Sequence, residues 1–139
     1  QDWDQVKLLS VTVDRLREWA KPGVLCIGDA AHAMSPIGGV GINLAVQDAV
    51  AAARLLAGPL LRHEVDLAAL QRVQQRREWP VKVVQGMQLF MQKRLIAPVL
   101  ASSAPVTMPW PLRLIGRFAL LRRIPAWFMG VGVRPEHVS

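Results

Sequence analysis

The alternation of apolar and polar residues changes character several times along the chain. Residues 6–13, VKLLSVTV, are rich in β-branched side chains and predict a strand. DRLREWAKPG follows as a short polar link, helical or irregular, punctuated by Pro22-Gly23. VLCI, residues 24–27, is an apolar run that stops abruptly at Gly28-Asp29, the pattern of a buried strand in a parallel sheet. Past the glycines, Ile42, Ala45, Val46, Ala49, Val50, Ala53 and Leu56 recur at three- and four-residue steps. They predict one buried helix face, ended by Gly58-Pro59, with alanines that allow close approach to a sheet or ligand. Asp66 is placed to cap a second helix bearing Leu67, Leu70 and Val73, which Pro80 would stop or kink. Periodicity resumes through Val83, Val84, Met87, Phe90, Met91 and Leu95, a stripe that reads as core packing. A proline-broken loop then leads to a basic amphipathic helix over 112–124, with Leu112, Ile115, Phe118, Ala119 and Arg122 at helical spacing, and to an apolar tail.

Composition narrows the class. With 139 residues the chain is one ordinary domain in size, and 52% hydrophobic residues suffice for a packed core. A first residue of Gln rather than Met suggests a piece of a longer protein. The single cysteine, Cys26, excludes a disulfide scaffold and points to a reducing, cytoplasmic setting. The net charge of +7 is unevenly spread: residues 1–78 balance nine basic against nine acidic side chains, whereas 79–135 hold eight basic and no acidic ones. Such a block marks either a solvated face or an anionic surface partner. Nucleic acid ranks low, because the aromatics of that half read as core rather than as stacking platforms. Peripheral membrane contact through residues 112–129, at the inner face of the membrane, is the alternative. A spanning helix over 95–112 is excluded by Pro98, Pro105, Pro109 and Pro111. Oligomeric state stays open.

The chemistry concentrates in residues 26–56. Gly38, Gly39 and Gly41 permit positive φ and close approach of a ligand to the backbone. The helix that starts there presents unpaired N–H groups and partial positive charge, suited to an anion or an electron-rich carbonyl. Asp29, at a strand end, repels a bare phosphate but accepts hydrogen bonds from hydroxyls. A flavin with its ribityl chain meets both demands. Yet neither G-x-G-x-x-G nor G-x-x-x-x-G-K-[ST] occurs in the sequence.

GDAAHAMSPIGGVGINLAVQDAVAAARLL resembles the second FAD-binding motif of the class A flavoprotein monooxygenases, the para-hydroxybenzoate hydroxylase-like family. Gly28, Asp29, Ala30, Ala31, His32, Pro36, Gly39, Gly41, Asn43, Asp48 and Ala49 match its pattern in order and spacing. VLCI and QRREWP (75–80) also fit, so the resemblance covers roughly residues 22–97; the tail is similar to bacterial members more loosely. The family's opening G-x-G-x-x-G unit and its middle D-G motif are not in the sequence. The resemblance therefore implies an α/β fold: the C-terminal part of a Rossmann-like FAD-binding domain over 1–60, then a mainly helical region over 61–139. It implies FAD as cofactor, NAD(P)H as reductant, and hydroxylation of an aromatic or other electron-rich small molecule. Halogenation, epoxidation or reduction on the same flavin, and a non-enzymatic basic membrane module, are the alternatives. By the same resemblance Gly28 and Asp29 bind the ribityl and pyrophosphate region, and Pro36 lies near the ring. Gly38, Gly39 and Gly41 admit the flavin to the backbone, where the amides of Ile42 and Asn43 bond its pyrimidine edge. His32 reads as structural and Asp48 as a helix-surface or packing residue. No catalytic acid or base and no metal ligand set is assigned, and His63 and His137 carry no role.

Overall fold

The computed structural model describes residues 12–101, 113 and 116–137. The strand expected over 6–13 falls mostly outside them, as does the proline-rich stretch of 102–112. In chain order the elements are β1 (Asp14–Arg15), β2 (Ala20–Lys21), β3 (Val24–Leu25), β4 (His32–Ala33), α1 (Val40–Leu61), α2 (Leu67–Met91), α3 (Ala97–Ala101) and α4 (Ala119–Gly130). Short strands thus precede a mainly helical region, as expected of part of an FAD-binding domain followed by helices.

The strands form two antiparallel pairs. β2 and β3 make a hairpin with Ala20 opposite Leu25 and Lys21 opposite Val24. Its turn is Pro22-Gly23, with Gly23 at φ 79°, the residue pair that a type II turn uses. VLCI is therefore a hairpin arm among the described residues, not a strand of a parallel sheet. Pro22-Gly23 folds it back on Ala20, and the Cys26 amide donates to the Trp19 carbonyl at 2.8 Å. β1 pairs with β4, Asp14 opposite Ala33 and Arg15 opposite His32. The link expected to be helical or irregular thus supplies β1 and β2.

Helix α1 runs past the expected end at Gly58-Pro59 and stops at Leu61. It closes with the His63 amide on the Leu60 carbonyl at 3.1 Å and the Glu64 amide on the Pro59 carbonyl at 2.9 Å. This pair of bonds is a Schellman motif, with His63 at φ 56° where glycine is usual. Helix α2 starts as expected: Asp66 accepts from the Ala69 amide at 2.7 Å. It then passes through Pro80, which is fully buried on the face that also buries Val73, Arg77, Val81 and Val84. Tertiary packing on that face outweighs the lost backbone bond.

Two apolar clusters hold the layers together. One joins Trp19, Ala31, Val40, Leu44, Val81 and Val84, and the other Ala20, Leu56, Ala69, Leu70 and Val73. The buried residues of α1 are Val40, Leu44, Asp48, Ala51 and Leu56; of the expected face Leu56 is among them, while Ile42, Val46, Ala49 and Ala53 face outward. The helix is rotated from the expected orientation. Both faces are apolar, and the polar Asp48 marks the inner one. By length and composition alone α1 could cross a membrane. Its buried carboxylate and its packing along α2 identify it as a core helix.

On α2 the buried stripe after Pro80 is Val81, Val84, Gln85 and Gln88; Phe90, expected in the core, is 61% exposed. The glutamines replace strand partners. Gln85 Nε2 donates to the Asp14 and Ala33 carbonyls at 2.8 and 3.1 Å, bridging β1 and β4. Gln88 Nε2 donates to the Ser35 carbonyl at 2.9 Å, and Gln74 Nε2 to the Arg17 carbonyl at 2.8 Å. The basic helix expected over 112–124 is broken rather than continuous: the described residues 113, 116 and 117 are helical, Phe118 is extended (φ −108°, ψ 115°), and α4 begins after it. Replacing Asp66 by Ala should lower the unfolding free energy by about 1 kcal/mol, with Asn restoring most of it. Denaturant melts of the three proteins would check this; equal midpoints for all three would contradict the capping role.

Candidate functional site

The residues singled out by the sequence gather around the N-terminal end of α1. Gly28, Asp29 and Ala30 form a 3-10 turn, closed by the Ala31 amide on the Gly28 carbonyl at 2.9 Å. Gly28 is buried at φ 58°, and a Cβ added there would lie 3.0 Å from the Ala45 Cβ. Only glycine meets both conditions. The neighbouring Asp29 is exposed.

β4 carries the chain inward and Pro36 turns it back. The second 3-10 turn, Ile37–Gly39, holds Gly38 at φ 82° and Gly39 at φ 63°. These two left-handed residues aim the chain into α1. Pro36, Gly38 and Gly39 are exposed, and nothing lies within 4 Å of a Cβ built on Gly39. Gly41 packs beneath, 3.3 Å from the Met34 Cβ by the same construction. The cap position of α1 is Gly39, which has no side chain to offer. Its first turn, which includes Ile42 and Asn43, therefore presents the positive end of the helix dipole. Ile42 is 72% exposed beside it.

Beneath this open surface lies a closed polar centre that the sequence reading assigned only to packing or the helix surface. Asp48 is fully buried. Its Oδ2 accepts from the Gly28 amide at 3.1 Å and from His32 Nε2 at 2.6 Å, and its Oδ1 accepts from Arg77 Nε at 2.8 Å. Arg77, also fully buried, spends its other nitrogens on the Arg134 carbonyl (3.1 Å) and Gln47 Oε1 (3.1 Å). Gln47 Nε2 in turn donates to the Val131 carbonyl at 3.0 Å. Glu136, its side chain 1% exposed, receives Arg76 through two bonds of 2.6 and 3.1 Å and stands 3.7 Å from Arg54 and 3.8 Å from Arg77. His32 is thus fully buried, bonded to Asp48 through Nε2 and packed on Trp19 with ring centroids 5.2 Å apart. Its structural reading holds. The one sequence signal for this centre was the acidic residue at Asp48 within the alanine-rich helix, paired with the arginines of QRREWP.

Burial pushes the Asp48 carboxyl up, but the hydrogen bonds from His32 and Arg77 and from the Gly28 amide outweigh it. The group titrates below the ordinary carboxylate value. Among the described residues no cluster of His, Cys, Asp or Glu could hold a metal ion.

A family model described as "FAD binding domain" matches residues 1–86 of the chain. The chain belongs to the class A FAD-dependent monooxygenase family. FAD is the cofactor of these flavoproteins. The chain is 39% identical over 112 residues to the 6-methylpretetramide 4-monooxygenase of Streptomyces rimosus, covering 76% of this chain and 27% of that protein. It is 48% identical over 59 residues to the kynurenine 3-monooxygenase of Stenotrophomonas maltophilia, covering 40% of this chain and 12% of the relative. A dual O-methyltransferase/FAD-dependent monooxygenase of Cercospora beticola is 33% identical over 103 residues, 69% of this chain and 12% of its own. The flavoprotein chain thus spans about a quarter of the length of the first of these relatives.

Two variants probe the buried centre. Arg77→Met would leave the Asp48 charge buried without its main partner, and should cost about 3–5 kcal/mol of unfolding free energy. The folded pKa of Asp48 is depressed, so its contribution is full above the unfolded value of about 3.9 and fades as pH falls through the folded one. Asp48→Asn should accordingly flatten the acid limb of the stability–pH profile. Urea melts from pH 7 downward would show this. An acid limb identical to wild type would refute the assignment.

Proposed function

We propose that the chain forms the flavin-facing part of an FAD-dependent monooxygenase that takes electrons from NAD(P)H and oxygenates an aromatic or other electron-rich small molecule. The observation that carries this reading is the pairing of an exposed carboxylate, Asp29, with a helix start whose cap is a glycine and which is reached through two left-handed glycines. Those features fit FAD. Asp29 would accept hydrogen bonds from its ribityl hydroxyls, and the open backbone at Gly38 and Gly39 would admit the ring system beside Pro36. Gly28, buried at positive φ against Ala45, and Gly41, where a Cβ would crowd Met34, keep the loop and α1 close enough for both ends of the site to act together.

Bound FAD supplies the redox and oxygen chemistry. The chain's own contribution is electrostatic and steric. The amides at Ile42 and Asn43, with the helix dipole behind them, would stabilise negative charge on the pyrimidine edge, in the manner of an oxyanion hole. The exposed Ile42 and Val46, 72% and 57% accessible, offer an apolar wall along α1 suited to an organic substrate. Each relative described above is named as a monooxygenase, which supports the reaction class. The domain division at residue 60 is part of the same proposal: α1 and everything before it would serve the flavin, and α2 onward would support it.

Asp29→Asn should weaken FAD binding roughly 10- to 150-fold, the value of a charged hydrogen bond, while leaving the fold intact. Fluorescence titration of the apoprotein measures the first, and circular dichroism the second. Unchanged affinity would remove Asp29 from the site. Anaerobic mixing of the holoenzyme with NADH or NADPH should bleach the flavin; failure with both would refute the reductant.

A second, compatible reading concerns the basic stretch. Phe118, Leu120 and Trp127 are 50%, 73% and 54% exposed, and Arg117, Arg122 and Arg123 are exposed beside them. This combination supports peripheral contact with an anionic membrane, which would suit a lipophilic substrate. The protein should float with anionic vesicles at low salt and be released at high salt. Flotation indifferent to lipid charge and to salt would end this reading.

A further inference from the structure

We propose that the C-terminal segment 131–137 positions the flavin loop, with Glu136 as the residue that does so without touching the cofactor. The inference rests on the reading that Asp29 and the start of α1 hold FAD. A continuous polar path joins the two regions. Glu136 is buried among Arg54, Arg76 and Arg77, yet it stands 59 positions after Arg77 and 107 after Asp29 by their numbers. Arg77 is gripped from the tail side by the Arg134 carbonyl at 3.1 Å and by Gln47, which also holds the Val131 carbonyl. From the other side its Nε reaches Asp48, whose second oxygen holds the Gly28 amide and His32. Gly28 and His32 bracket Asp29.

Each link has little freedom. Asp48 and Arg77 are both fully buried, and Gly28 is pressed against Ala45, so a shift of the guanidinium moves the carboxylate and with it the turn. The tail is also shaped to fit: Gly132 sits at φ 85°, and a Cβ there would stand 3.2 Å from Gln47 Nε2. A segment that only covered the core would not need a buried carboxylate facing three arginines. Removing the Glu136 charge leaves Arg54 and Arg76 uncompensated beside Arg77, so their repulsion pushes the Arg77 guanidinium off its place and loosens the turn that presents Asp29.

The test compares Glu136→Gln, Gln47→Ala and, as a control on an exposed ion pair, Arg62→Gln, each made in the holoenzyme. Thermal midpoints are recorded for apoprotein and FAD-saturated protein, and FAD dissociation constants are measured by fluorescence. If the tail positions the loop, Glu136→Gln and Gln47→Ala weaken FAD binding by roughly 3- to 30-fold and shrink the FAD-induced rise in midpoint. The control changes neither. If the tail is only a structural cover, apo and FAD-loaded midpoints fall together and the rise is unchanged, which overturns the proposal. Should Glu136→Gln fail to fold, Gln47→Ala decides alone. Asp29→Asn, run in parallel, separates the two ideas. No effect of Asp29→Asn on FAD affinity refutes the flavin reading itself. An effect there, with none from Glu136→Gln or Gln47→Ala, refutes only the positioning role.

Discussion

The carboxylate of Asp48 is the constraint on which the rest of the structure depends. A buried charge is costly unless its oxygens are saturated, and here both are: one faces Arg77, the other the Gly28 amide and His32. Meeting that requirement fixes the rotation of α1. With Asp48 turned inward, Val40, Leu44 and Ala51 turn inward too, and Ile42 and Val46 are left facing outward at the mouth of the site. It also fixes the loop, because the backbone of Gly28 must come close enough to donate. An interaction that contacts no ligand thereby sets where the ligand-facing groups stand.

The glycine loop was legible in the sequence because its chemistry is local. Gly38 and Gly39 are read from residue type, the cap at Asp66 from position, and the α1 start from the change of period; Gly41, grouped with them for positive φ, instead lies inside α1. What was not legible depended on partners far away in sequence. The orientation of α1 could not be read from periodicity, since Ile42–Val46–Ala49 and Val40–Leu44–Ala51 are equally apolar stripes. Only the pairing of Asp48 with Arg77, 29 positions on, decides between them. Gln85 and Gln88 look like surface residues until strand carbonyls are placed opposite them. Pro80 looks like a helix break until its burial is known. VLCI has the composition of a central strand, but Pro22-Gly23 makes it a hairpin arm.

Charge asymmetry keeps its meaning once Glu136 is located. The basic half of the chain looked like a solvated or membrane-facing surface. Its first acidic residue after Glu78 lies at the centre of an arginine cluster drawn from both α1 and α2. The arginines that hold it, Arg54, Arg76 and Arg77, belong to the charge-balanced half, so the basic block itself stays at the surface: Lys82, Lys93, Arg94, Arg113, Arg117, Arg122, Arg123 and Arg134 are all exposed.

The glutamines of α2 have a geometric effect of their own. Gln74 and Gln85 are eleven residues apart, three helical turns, so they point the same way at a separation of about 16 Å. One holds the carbonyl of Arg17, ahead of the β2–β3 hairpin, and the other those of Asp14 and Ala33 in the β1–β4 pair. The helix thereby acts as a ruler laid across two short sheets that, among the described residues, share no hydrogen-bonded strand, and it helps to set their spacing. A single-residue insertion between these positions would turn the two graduations about 100° out of line, leaving the hairpin and the site-bearing strand without a common reference.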